Sequence, residues 1–178
     1  MARSRKLVTA MGPIVQQITE TAPGVFATLL APCSCQALAP LLVPVPSFVW
    51  LVAYHPHGVV EWVDLPLPLA VDRPAELRRA RLARYDLQFS LEDFLAELPK
   101  LRAPAGMLAV QMARPVPNAL VMEHLVENPA RHAILVQNGW LLSFDLPHDG
   151  AHAWVESPHR EHLERVLATP LFRTELLP

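Results

Sequence analysis

Charged residues are scarce in this chain of 178 residues. Asp, Glu, Lys and Arg make up 18% of it, against about 25% in an ordinary soluble domain, and the formal net charge is −2. A nearly neutral chain with 52% hydrophobic residues is not intrinsically disordered, because disorder requires low hydrophobicity and high net charge. It also lacks the strong basic excess of a nucleic-acid coat protein.

Cysteine is rare, and glycine is never clustered. The two cysteines, Cys33 and Cys35, lie too close in sequence to form an unstrained disulfide with each other. Unpaired cysteines are typical of reducing compartments, so we expect a cytoplasmic protein. The six glycines are scattered singly, which excludes a glycine-rich phosphate-binding loop. We expect no cofactor. His159 and His162 are three residues apart but give no recognised zinc-binding spacing, so we also expect no bound metal.

The shortage of charge is concentrated in one place. The forty residues from Thr21 to Val60 contain no Asp, Glu, Lys or Arg. A spanning helix needs about 20 continuous apolar residues, and six prolines cut this run into shorter pieces, so we do not expect membrane insertion. Within a single domain of residues 1–178, the apolar, proline-rich segment 21–46 is instead a candidate partner-binding or self-association element. Its candidate contact residues are Leu29, Leu30, Leu41, Leu42 and Val43.

The order of the elements predicts an α+β fold with one mostly antiparallel sheet. A hairpin over 47–65 and a meander over 132–156 supply most of the strands, and 106–113 adds another. Helices are expected over 25–30, 72–85 and 118–128, and at the C-terminus after Ser157-Pro158. A further helix follows Ser90, because Ser90 with Asp93 forms a capping-box pattern.

Two turn dipeptides set the register of the meander. Asn138-Gly139 is typical of a two-residue hairpin turn, which would place His132 opposite Asp145. Asp149-Gly150 repeats the pattern and places Asp145 opposite Trp154. Side chains two apart share a face, so the face would carry a polar cluster of His132, Ser143, Asp145, His152 and Trp154.

That cluster has two interpretations. An aspartate opposite a histidine can orient it and raise its basicity, as a general base requires. His132, Asp145 and His152 would then be catalytic residues of a small hydrolase or a metal-dependent enzyme. The simpler interpretation is an ordinary cross-strand charge pair, worth a fraction of a kcal/mol.

A second charged feature lies in the predicted helix over 72–85. Arg78, Arg79, Arg81 and Arg84 could contact nucleic-acid phosphates. Without interleaved aromatic residues to stack on bases, we favour a solvated helix face and do not expect nucleic-acid binding.

The apolar composition favours a non-enzymatic protein-interaction module of an adaptor, immunity or accessory type. Such a module would dock a protein partner or form a homo-oligomer through apolar surface that a monomer leaves uncovered. The hydrolase or metal-dependent enzyme is the alternative.

Overall fold

A single eight-stranded antiparallel sheet dominates the computed structural model, which describes residues 17–55, 75–77, 82–101, 106–115 and 130–170. The sheet order is β1-β2-β8-β7-β6-β3-β5-β4, and each pairing is antiparallel. The predicted α+β class is therefore confirmed. The strands are β1 (Thr19–Ala22), β2 (Val25–Cys33), β3 (Phe48–His55), β4 (Ala75–Leu77), β5 (Leu82–Ser90), β6 (Met107–Met112), β7 (Trp140–Leu146) and β8 (Ala151–Ser157).

Three α-helices lie among the described residues: α1 (Leu91–Glu97), α2 (Arg131–Gln137) and α3 (Arg160–Ala168). Short 3-10 helices cover Cys35–Leu41 and Leu98–Lys100. The predicted cap of α1 is confirmed, because the Ser90 hydroxyl accepts the Asp93 N–H at 3.1 Å.

The larger hydrophobic core lies on one face of the sheet. Along β7 the side chains of Leu142, Phe144 and Leu146 alternate onto this face, and each is fully buried. Leu163 and Val166 of α3 cover them. A smaller core lies in a second cluster that includes Leu135 of α2; its strand residues are Val25, Trp50, Val52, Val110, Met112 and Trp140.

The first strand of the predicted meander is wrong, because residues 131–137 form helix α2. Asn138-Gly139 ends that helix instead of turning a hairpin. The Asn138 side-chain amide donates to the Ile134 carbonyl at 2.8 Å, and the Gly139 N–H donates to the Val136 carbonyl at 3.0 Å. Gly139 has a φ of 75°, the left-handed conformation that commonly ends a helix.

The second half of the meander is confirmed. β7 pairs with β8, and Asp145 lies opposite Trp154 as predicted. Gly150 has a φ of 80° in the connecting turn, and the Ala151 N–H donates to the His148 carbonyl at 3.0 Å. An Asp-Gly dipeptide between two strands therefore did predict a hairpin here.

Two other predicted helices are wrong. Residues 25–30 belong to strand β2, and 75–77 with 82–85 belong to strands β4 and β5. The apolar run in β2 is too short for its period to distinguish a buried strand from a helix. The predicted helix over 118–128 lies outside the described residues.

The hairpin over 47–65 needs a correction as well. Its first strand is confirmed as β3, while the second, over 59–65, lies outside the described residues. β3 pairs with β5 on one side, along its whole length, and with β6 on the other. Both edges of β3 are therefore occupied by strands other than the predicted partner.

Candidate functional site

The predicted docking residues of segment 21–46 lie mainly inside the chain's own core. Leu30, Leu41, Leu42 and Val43 are at most 7% exposed, and Leu29 is half-buried. The reason is topological: β2 is an interior strand between β1 and β8, and the 3-10 helix after it packs into the larger core. These four side chains therefore pack inside the chain's own core, and a contact role for the set stays a prediction.

The end of the same segment is exposed and forms one wall of an open groove. Pro44, Val45 and Pro46 are exposed, and Val45 retains 40% of its accessible surface. The groove has a volume of about 680 Å³. It is lined by Pro44, Val45, Pro46, Ser47, Phe48, Ser90, Leu91, Glu92, Leu95 and Ala113.

Strand pairing brings the walls of this groove together. Phe48, the first residue of β3, lies opposite Ser90 at the end of β5 and opposite Met112 at the end of β6. The loop before β3, helix α1 after β5 and Ala113 after β6 therefore meet at one end of the sheet. The Leu91 N–H donates to the Ser47 carbonyl at 2.9 Å, which ties the helix to the loop.

A buried glutamine fixes the loop wall. The Gln111 side chain is fully buried and accepts the Val43 N–H at 2.8 Å through Oε1. Its Nε2 donates to the Val43 carbonyl at 2.7 Å and to the Ser47 hydroxyl at 2.8 Å. Since Pro44 and Pro46 also restrict the backbone, the loop has little conformational freedom to lose on binding.

Our sequence interpretation missed this groove. Val45 carried a usable signal, because a residue between two prolines cannot enter an interior strand. Leu95 and Glu92 carried none, since an exposed leucine or glutamate on a helix is unremarkable by itself. Only the β3–β5 pairing shows that these residues share a surface with Val45.

The predicted histidine cluster assembles differently from expectation. His132 lies on helix α2, so it does not pair with Asp145, whose strand neighbours are Leu108 and Trp154. The His132 ring stacks on Trp140 with a centroid separation of 5.5 Å and an interplanar angle of 3°. Its Nε2 lies 3.6 Å from Oε2 of Glu156.

Glu156 is the acidic centre of the observed cluster. Its side chain is 8% exposed, and Oε2 accepts a charge-assisted hydrogen bond from Nη2 of Arg131. Ser143, nearly buried, lies opposite Glu156 on β7. The Glu156 carboxylate next to His132 is thus already paired with the Arg131 guanidinium. Because Arg131 and His132 belong to α2 and Glu156 to β8, this cluster attaches α2 to the sheet.

Asp145, Trp154 and His152 lie further along the same sheet face. Asp145 reaches the surface, but neighbouring protein atoms remove enough water to raise the pKa of its carboxyl. The Arg131 guanidinium lowers that pKa in part, and the Glu156 carboxylate raises it. Trp154 is 37% exposed and His152 is half-buried.

The described residues of this cluster do not form a metal-binding site or the site of a serine nucleophile. Among the residues that the structure describes, no group of three or more His, Cys, Asp or Glu side chains could hold a metal ion. Ser143 lies in the middle of a strand, away from the sharp turn that exposes a serine nucleophile. His132, Asp145 and His152 therefore share a face without forming a catalytic constellation.

The two cysteines are buried and form no disulfide. The Cys35 thiol donates to Oδ1 of Asp149 at 3.1 Å, and the Cys35 N–H donates to the same oxygen at 3.1 Å. Burial raises the pKa of the Cys33 thiol, and the Asp149 carboxylate raises it further. The Cys35 thiol thus connects the β7–β8 turn to the start of the 3-10 helix, and the raised pKa of Cys33 disfavours its nucleophilic thiolate.

Only one of the four candidate arginines, Arg84, lies among the described residues. Arg78, Arg79 and Arg81 lie outside the described residues. Arg84 belongs to strand β5, opposite Ala75 of β4, so the predicted helical face of arginines is wrong where it can be checked.

No family model, no curated protein and no solved structure matches this chain. Within the described ranges, each helix is too short or too polar to cross a lipid bilayer.

Proposed function

We propose that this chain is a non-enzymatic protein-interaction module that docks a partner segment in the groove between the Pro44–Pro46 loop and helix α1. The observation that carries the proposal is the position of Val45 and Leu95. Each is a large hydrophobic side chain with 40% of its surface exposed, and both line the same groove. Exposed apolar residues gathered in a concave site are typical of recognition surfaces.

The size of the groove favours a short segment as the occupant. A volume of about 680 Å³ falls within the range of about 300–1,000 Å³ found for ligand sites, enough for a few side chains. Stable interfaces between whole domains bury about 800 Å² per partner, which requires a broader surface. A homo-oligomer would need further contacts outside the groove, and sedimentation of the purified protein tests for it.

The chemistry of the lining supports binding more than catalysis. The Ser47 hydroxyl donates to the Val45 carbonyl and accepts from the Gln111 amide. The Ser90 hydroxyl donates to the Asp93 carboxylate. A catalytic site needs a nucleophile or base with reach to a substrate, whereas these hydroxyls are engaged in structural bonds. We propose a cytoplasmic location, which two buried cysteines without a disulfide support.

Selection from a random peptide library displayed on phage tests the proposal and requires no candidate partner. We expect peptides enriched on the wild-type protein to lose binding to Val45→Asp and Leu95→Glu, which place a charge in the apolar groove. Val136→Asp is the matched control, because Val136 is 52% exposed on α2 and does not line the groove. It should bind the selected peptides as the wild type does.

Two results would contradict the groove as a docking site. One is failure to enrich any peptide on folded wild-type protein. The other is retention of the enriched peptides by both groove variants. The substitutions are all at exposed positions, and thermal unfolding of each variant serves as the check that the fold is intact.

A further inference from the structure

Among the described residues that line the groove, Glu92 is the one with a charged side chain. Glu92 is exposed in the first turn of α1, whereas the other residues that line the groove are apolar or hydroxyl-bearing. The nearest basic side chain in sequence, Arg114, follows Ala113 but donates to the Gln137 carbonyl at 3.3 Å, on α2. The formal charge carried by the described lining residues is therefore negative.

The Ser90 hydroxyl and the Leu91 N–H, two polar groups of the walls, are bonded within the protein. Ser90 Oγ donates to Oδ2 of Asp93 at 2.6 Å and accepts the Asp93 N–H at 3.1 Å. The Leu91 N–H is held by the Ser47 carbonyl at 2.9 Å. These bonds occupy the Leu91 and Asp93 N–H groups, which disfavours an anionic ligand at the start of α1.

Shape and charge together define the occupant. We infer that the groove binds a peptide segment whose apolar side chains cover Val45 and Leu95 and whose single Lys or Arg pairs with Glu92. This inference rests on the proposed docking function and adds the partner's chemistry to it. Apolar contact supplies most of the affinity, and the exposed ion pair supplies orientation and selectivity.

Three pools of synthetic octapeptides test this chemistry directly. Seven positions carry mixtures of Leu, Val, Ala and Pro, and the fourth position carries Lys in one pool, Gln in the second and Glu in the third. Each pool is passed over immobilised full-length protein, and the retained peptides are counted by mass spectrometry. We expect wild-type protein to retain the Lys pool about fivefold over the Glu pool at low salt, with the ratio falling as salt is added.

Charge reversal supplies the decisive comparison. Glu92→Lys should invert the preference toward the Glu pool, and Glu92→Gln should remove it. The matched control is Glu161→Lys, which reverses an exposed charge in the first turn of α3, on a residue outside the groove lining. It should keep the wild-type preference.

The outcomes separate this inference from the docking function. Equal retention of the three pools by wild-type protein, together with loss of all three on Val45→Asp, would overturn the inference and leave docking intact. Retention of the pools by Val45→Asp would overturn both. A preference for the Glu pool on the wild type would show that the occupant is acidic and would also overturn the inference.

Discussion

The side-chain amide of Gln111 and the backbone of Val43 are joined by two reciprocal hydrogen bonds, of 2.8 and 2.7 Å. The amide copies the pairing that a neighbouring strand would offer. A backbone that lies off the sheet thus gains the hydrogen bonds of a strand, and the groove loop is positioned without becoming part of the ladder.

Replacement of Gln111 by an apolar residue of similar length should lower the free energy of unfolding markedly. Gln111→Met keeps the side-chain length but leaves the buried Val43 N–H without its partner, while the Val43 carbonyl keeps the Val45 N–H at 2.8 Å. An unsatisfied buried group costs about 1–3 kcal/mol, so we expect the free energy of unfolding to fall by about 2 kcal/mol in urea titrations. Gln137→Met, at an exposed position on α2, should change it little. Equal effects of the two substitutions would contradict this role.

Asp145 should make stability fall with rising pH. Because its carboxyl has a pKa raised above the usual value of 3.8, the folded protein holds a proton that the unfolded chain has released. Between the two pKa values the unfolded chain binds fewer protons, so an increase in pH lowers the free energy of unfolding. Asp145→Asn removes this term, and its advantage over the wild type should grow as pH rises through that interval. A pH-independent difference in urea titrations would show that desolvation of the charge is not responsible.

Two glycines with positive φ should differ in their tolerance of alanine. At Gly106, with a φ of 131°, a Cβ would lie 2.8 Å from the backbone oxygen of Pro147. At Gly24, with a φ of 72°, a Cβ would meet no atom within 4 Å. We expect Gly24→Ala to cost about 1 kcal/mol, from backbone strain alone, and Gly106→Ala about 3 kcal/mol. Thermal unfolding of the two variants tests this expectation. Equal shifts of their midpoints would contradict the steric argument.

The cysteines should resist alkylation while the protein is folded. Cys33 and Cys35 are buried, and the raised pKa of Cys33 leaves little of the reactive thiolate at pH 8. Mass spectrometry after iodoacetamide treatment should detect no adduct on native protein and two adducts in denaturant. Rapid modification of either thiol in native protein would mean that this part of the core opens readily.

Local signals predicted those elements whose residues satisfy their own neighbours. Ser90 caps α1 through Asp93, and Asp149-Gly150 connects β7 to β8 with the expected register at Asp145. Asn138-Gly139 predicted a hairpin where a helix ends, and the reason is physical. The same dipeptide serves a hairpin or a helix end, and the choice depends on whether the Asn138 amide reaches the Ile134 carbonyl.

The candidate site was harder to predict because no local pattern defines it. Val45 and Leu95 belong to separate stretches of sequence and meet only when Phe48 pairs with Ser90. Burial of Leu30 and Leu41 was equally hidden, since an apolar run fits either a covered strand or an uncovered docking surface. Long-range strand pairing decided both outcomes.

The adjacency of β2 and β8 has a consequence for the order of assembly. Phe26 lies opposite Ser157, so β2 emerges from the ribosome long before its neighbour is made. Until β8 arrives, the apolar edge of β2 is open to misplaced pairing with other nascent chains. Contacts so distant in sequence also slow folding. Synthesis of this protein should therefore be sensitive to chaperones that shield β2 until β8 has been translated.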